Sequence, residues 1–220
     1  LTHLRQSHPK TPVIMFSSLT ALGAAATLEA LSRGASDFFA KPSGPGGLEA
    51  SRRVIQAELI PAIRALCARK PAPPAVHEKT PATPTPPRPP AATARIDILA
   101  IGASTGGPNA LAEIFMLLPP GLPAPIVVVQ HMPPMFTQML AERLTKNSQV
   151  PTVEAKSGSA LEPGQAWVAP GDHHLVLVRD GTRIRTQLNQ ELQEHACRPA
   201  VDPLFRSVAS IYGPNSLAVV

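Results

Sequence analysis

Apolar residues run almost unbroken over residues 96–101 and 125–129, and each run leads into a polar or glycine-rich turn and then a helical pattern. Continuous apolar runs of this length suit parallel strands covered on both faces. The helices that follow them are expected over residues 109–118, ended by Pro119-Pro120-Gly121, and from about Met135 to Lys146. Further on, residues 156–164 form a polar turn region, Trp167 and Val168 a short strand, and residues 175–178 and 182–186 a hairpin turned at Asp180-Gly181. Residues 216–220 read as a strand still in progress. The first part of the chain alternates in the same way. Residues 11–18 are a short apolar strand ending in hydroxyls. Residues 22–33 are an Ala-rich helix stopped at Gly34, and residues 35–40 a second strand. A second helix over about 48–68 carries Leu48, Val54, Ile55, Leu59, Ile63 and Leu66 in a stripe and is interrupted by Pro61. Strand–helix alternation predicts α/β architecture with parallel sheets.

Between these halves the periodicity disappears. Residues 71–94 hold nine of the 27 prolines, among Ala and Thr. Such a stretch buries too little surface to fold and reads as an extended, semi-rigid tether. The domain boundary falls there. The chain begins at Leu1 in what reads as a helix tail and stops inside a strand, so it is read as a fragment truncated at both ends.

Composition narrows the class. Hydrophobic residues make up 44% and aromatics 4%, so the core is built from Leu, Val, Ile and Ala. No apolar run approaches the ~18–20 residues of a membrane span, and the start does not resemble a signal peptide. Two distant cysteines, Cys67 and Cys197, give neither a disulfide framework nor zinc spacing, which suits a reducing cytoplasm. Net charge is +5. Residues 1–70 carry nine Lys/Arg and four Asp/Glu, whereas residues 95–220 carry nine and ten. The excess sits in the first segment, without a dense basic run or interleaved aromatics, so nucleic acid is not the expected partner.

The chemistry concentrates at the two strand ends. Gly102-Ala103-Ser104-Thr105-Gly106 fits G-x-S-x-G, in which a sharp strand-to-helix turn presents a serine hydroxyl. Alone, this turn has three readings: a nucleophile, a dinucleotide loop in which Ser104 stands where a glycine is required, or a plain tight turn. Gln130-His131-Met132-Pro133 closes the second apolar run. Consecutive βα units bring both strand C-termini to one sheet edge, so Ser104 and His131 can face each other as nucleophile and general base. His131 follows Ser104 by 27 residues, unlike the Ser, acid, His order of ordinary α/β hydrolases. Asp172-His173-His174 resembles a metal cluster, but it lacks a suitably spaced further ligand and reads as a loop before a strand. Asp202, followed by Pro203, reads as a helix N-cap.

Two resemblances follow from these residues. An apolar strand ending in Ser17, a helix, and then Gly34-Ala35, Asp37-Phe38 and Lys41-Pro42, in that order, resemble the last half of a phosphorylation-receiver domain. That resemblance implies Lys41, Ser17 and Phe38 as receiver switch residues. It also implies that the phospho-accepting aspartate and the acidic Mg-binding pair lie upstream of this chain. The motifs around Ser104 and His131, with Ala169-Pro170-Gly171-Asp172, His174 and Arg198-Pro199-Ala200-Val201-Asp202 with Phe205, closely resemble the chemotaxis protein-glutamate methylesterase (CheB) family. The implied fold is α/β: a partial receiver (flavodoxin-like) domain over 1–70, the linker over 71–94, and most of a doubly wound parallel-sheet serine-esterase domain over 95–220. The implied function is hydrolysis of glutamate methyl esters, and deamidation of glutamines, on chemotaxis receptors, regulated by receiver phosphorylation. Ser104 is the implied nucleophile and His131 the base; Thr105, next after the nucleophile, supplies the oxyanion N–H. The acidic triad member is implied beyond residue 220, which leaves the fragment nearly inactive. No cofactor is implied for catalysis, and Mg only for the absent part of the receiver. Implied partners are the cytoplasmic helices of methyl-accepting receptors and the chemotaxis histidine kinase, with no nucleic acid and no membrane insertion. The rival class is a non-catalytic α/β module whose Gly102–Gly107 loop holds a phosphate or nucleotide. A transcriptional output domain would need a basic recognition helix, and none is found.

Overall fold

The computed structural model describes residues 1–18, 20–41, 47–68 and 95–220; the proline-rich tether and Pro42 lie outside them. Helix α1 (Thr2–Ser7) leads to strand β1 (Ile14–Ser17), helix α2 (Ala21–Ser32) and strand β2 (Asp37–Ala40). β1 and β2 pair in parallel, with Ser17 opposite Ala40. Thr20 caps α2 by accepting the Gly23 N–H at 3.1 Å. Gly34, at φ +97°, ends it in the left-handed backbone expected of its position. The helix expected over 48–68 runs as α3 (Gly47–Val54), a π turn (Ile55–Leu59) and α4 (Ile60–Cys67). Pro61 accounts for the wide turn. It has no N–H for the carbonyl four residues back, and its ring would strike that carbonyl in an α-helix. The π turn, in which the Ile60 N–H donates to Ile55, opens the helix at that point.

The second half supplies strand β3 (Ile98–Ala103), helix α5 (Gly107–Leu117), strand β4 (Ile126–Gln130), helix α6 (Phe136–Asn147), and short strands β5 (Thr152–Glu154) and β6 (Ala166–Val168). Strands β7 (His174–Asp180) and β8 (Arg183–Asn189), helix α7 (Val201–Tyr212), a 3-10 turn (Gly213–Asn215) and strand β9 (Ser216–Val219) complete it. The sheet order is β5-β6-β4-β3-β9, with every pairing parallel. From β3 the chain fills one side, with β4 next to it, β5 at the edge and β6 inserted between them, and then returns to the other side as β9. That reversal puts the carboxyl end of β3 at the switch point where open α/β sheets form their sites. β7 and β8 form the expected antiparallel hairpin. β5 had no counterpart in the sequence reading, because Val153 is its only apolar residue.

All of β4 is buried, as its unbroken apolar run predicts. Ile126 and Val128 face α5 and α6, where they join Leu111, Phe115, Phe136 and Leu140. Val127 and Val129 face the other layer, with Leu175, Leu177, Leu204 and Val208 from the hairpin and α7. Ala24 and Phe38 of the first half pack into the α5–α6 layer, so one core spans both halves.

Two sequence expectations are corrected. β3 runs two residues past the apolar stretch, so Gly102 lies within the strand rather than in the turn. A Cβ there would sit 2.7 Å from both γ-methyls of Val201, so glycine is needed for close approach. Asp202 is not the N-cap of α7; that place belongs to Ala200, and Asp202 lies in the first helical turn. Its carboxylate suits the positive helix end and lies 3.7 Å from His195 Nε2.

Candidate active site

Ser104 and His131 are the first residues beyond β3 and β4. Ala103 and Gln130 are register partners, and the His131 N–H donates to the Ala103 carbonyl at 3.1 Å. The two residues therefore leave the sheet side by side, at the interstrand spacing of about 5 Å. Both line one cavity of about 520 Å³, together with Thr105. No direct hydrogen bond joins the Ser104 hydroxyl to the imidazole; such contacts often tighten only when substrate is bound.

Three glycines, one in β3 and two in or just after the serine turn, are needed for different reasons. Gly102 admits Val201. Gly106 holds φ +75° with open space around its α-carbon. Gly107, the first residue of α5, has no room for a side chain, because a Cβ would fall 1.9 Å from the Gln130 Oε1. Pro108 sits within the first turn of α5, where an N–H has no helical partner anyway. Among the described residues the Thr105 N–H donates to no acceptor, so it stays free beside the serine at a helix N-terminus. A free N–H in that place is able to donate to a developing oxyanion.

His131 Nδ1 lies 3.5 Å from the Cys197 Sγ. Burial, and secondarily the charge of Glu58, push the Cys197 thiol up, which keeps it protonated. No carboxylate among the described residues hydrogen-bonds His131. The loop carrying Cys197 is pinned by Arg198. Its Nε and Nη2 donate to Asp172 Oδ1 at 3.0 and 2.6 Å, and its Nη1 donates to the carbonyls of Gln190 and Glu191. Asp172, His173 and His174 are thus occupied by the protein itself. The His174 Nδ1 accepts the Ala200 N–H at 3.2 Å and its Nε2 donates to the Leu192 carbonyl, so the ring ties β7 to the loop before α7. His173 Nδ1 faces the Gly171 carbonyl at 3.2 Å. Among the described residues no group of three His, Cys, Asp or Glu could hold a metal ion.

The first half closes over this edge. Asp37, 7% exposed, accepts the Gly106 N–H at 3.3 Å through Oδ2 and its neighbour's N–H, that of Phe38, through Oδ1. Burial raises its carboxyl despite these two donors. Asn109 of α5 donates to the Ala35 carbonyl at 2.7 Å. Phe38 stacks on Phe136 with ring centroids 4.7 Å apart, and both Phe38 and Glu58 line the cavity. Of the other switch candidates, the Ser17 hydroxyl donates to the Gly23 carbonyl at 3.1 Å. The Lys41 ammonium lies 5.9 Å from the Phe16 ring centroid, and its backbone N–H donates to the Ser17 carbonyl. Ser17 and Lys41 therefore meet at one strand edge, whereas Phe38 points into the other half. The roles of Gln130, Cys197 and Asp37 had no sequence signal. Asp37 and Gly106 are 69 residues apart, across a proline-rich stretch of sequence without apolar periodicity.

An open, parallel α/β domain with a serine and a histidine on adjacent strand ends is the class that fold and site define. Residues 99–220 match the family model described as CheB methylesterase, and the chain belongs to that family. It is similar to a protein-glutamate methylesterase/protein-glutamine glutaminase of Trichodesmium erythraeum, 44% identical over all of this chain and 63% of the relative. A relative of that name from Pseudomonas aeruginosa, numbered 2, is 43% identical over 99% of this chain and 60% of its own length. The crystal structure of the Thermotoga maritima CheB methylesterase catalytic domain superposes with a TM-score of 0.55 at 42% identity, covering 56% of this chain and 66% of that one. The chain thus spans about three-fifths of the length of these curated relatives. Among the described residues no helix is long and apolar enough to cross a membrane.

Proposed function

We propose that the protein carrying this chain hydrolyses glutamate methyl esters on the cytoplasmic helices of chemotaxis receptors, and deamidates glutamines there. The observation that carries this reading is the side-by-side emergence of Ser104 and His131 over one cavity. The free Thr105 N–H and the names of the similar proteins support it. His131 takes the hydroxyl proton as Ser104 attacks the γ-carbonyl, and the Thr105 N–H donates to the developing oxyanion. As the tetrahedral intermediate collapses, His131 returns the proton to the departing methoxy oxygen, releasing methanol, or to the departing amide nitrogen of a glutamine, releasing ammonia. It then deprotonates the water that frees the acyl-serine. No step needs a cofactor.

The first half acts as the regulatory part in this reading. Lys41 and Ser17, a cation and a hydroxyl at one strand edge, suit contact with a phosphoryl group delivered by the chemotaxis histidine kinase. Phe38, Asp37 and Glu58 of the same half line the ester cavity. The direct test is methanol release from glutamate-methylated receptor fragments by the full-length protein. Ser104→Ala is expected to lower the rate by about 10⁴-fold or more. Release that survives this substitution would remove Ser104 from the reaction. Retention of a nucleotide without ester hydrolysis would favour the phosphate-loop alternative.

A further inference from the structure

Gln130 is the last residue of β4 and is 2% exposed. Its carboxamide lies behind the serine turn. The Nε2 group donates to the Ser104 carbonyl at 3.0 Å and to the His131 carbonyl at 3.2 Å. Those are the main-chain oxygens of the nucleophile and the base. The geometry points to Gln130 as a positioning residue that sets the spacing between Ser104 and His131. This role rests on the serine-esterase reading.

The need arises where the sheet ends. The final rung between the strands is the His131 N–H to Ala103 bond. Beyond it, the carbonyls of Ser104 and His131 are both acceptors and cannot bond each other. A neutral group with two N–H donors bridges them without bringing charge into a buried place. The amide cannot be turned over, because its oxygen would then face two carbonyl oxygens. In the observed orientation the Oε1 is buried without a partner. An unpaired buried acceptor is unfavourable for stability, and such groups call for an explanation. Here it is the consequence of aiming both donors at the catalytic turns. The glycine at 107 follows from the same arrangement, since any side chain there would displace the Oε1.

The test uses the full-length protein, a fluorophosphonate probe, and two near-isosteric variants. Gln130→Met removes both donors. Gln130→Glu removes them while ionised and regains one when protonated. For Gln130→Met the inactivation rate constant at Ser104 is expected to fall about 10²-fold, the scale of a misplaced reacting group, with probe affinity within about two-fold. For Gln130→Glu the deficit relative to the unmodified protein is expected to shrink as pH falls toward about 5, where a carboxyl begins to protonate. A purely structural role would lower the fraction of titratable sites and leave each surviving site at full speed. Unchanged inactivation per site in Gln130→Met, or a pH-independent deficit in Gln130→Glu, overturns the positioning role alone. Failure of the unmodified protein to react at Ser104 overturns the esterase reading and this role together.

Discussion

Gly106 and Gly107 are adjacent, yet substitution should harm them differently. Gly106→Ala meets open space but must hold φ +75°, so it is expected to cost about 1–2 kcal/mol of stability and little activity per folded molecule. Gly107→Ala places a methyl where Gln130 Oε1 lies. It is expected to lose activity per titratable site as well as stability. Denaturation midpoints with active-site titration separate the two cases. Asp37 carries a pH signature. Burial raises its carboxyl, so the folded state binds that proton more tightly than the unfolded state does. Its contribution is fully present below the ordinary carboxyl range, near pH 4, and is lost as pH rises through the raised value. Asp37→Asn removes that slope, so stability of the variant relative to the parent should improve with rising pH. A difference constant from about pH 3 to 7 would contradict it.

At the scale of elements, the loop before α7 is held by the His174 ring and by the Arg198 guanidinium. Arg198→Ala is expected to cost about 1–3 kcal/mol by removing the charge-assisted bonds to Asp172 Oδ1 and the two bonds to the carbonyls of Gln190 and Glu191. It should also loosen Cys197 beside His131, raising KM for ester substrates along with the loss of stability. Which elements the sequence betrayed follows from their burial. β3 and β4, covered on both faces, wrote unbroken apolar runs and put Ser104 and His131 at their ends. β5 owes its place to neighbours rather than to its own residues. Gly102 and Asp202 were misassigned because local chemistry describes a turn and a cap equally well wherever a glycine, or an Asp-Pro pair, occurs. Only the approach of Val201 and the actual start of α7 decide them. The Gln130 bridge and the Asp37 contact join segments whose proximity is set by the folded sheet and the packed halves, which no local pattern encodes.

For the molecule as a whole, the packing of one half on the other is the regulated quantity in the proposed function. Phe38→Ala removes the ring stacked on Phe136 and is expected to cost about 1–3 kcal/mol at the junction. Because Phe38 also lines the cavity over Ser104, the probe should react faster with the variant in the unphosphorylated full-length protein. An unchanged or slower rate would mean that this contact does not restrict the site.

All of this depends on a hydroxyl and an imidazole leaving adjacent parallel strands close enough to exchange a proton. Mass-spectrometric mapping of the fluorophosphonate adduct in the full-length protein and in its His131→Ala variant measures that directly. The predicted result is a single adduct on the peptide containing Ser104, formed at least about 10³-fold more slowly without the imidazole. An adduct elsewhere, or one at Ser104 that forms equally fast without His131, would contradict it.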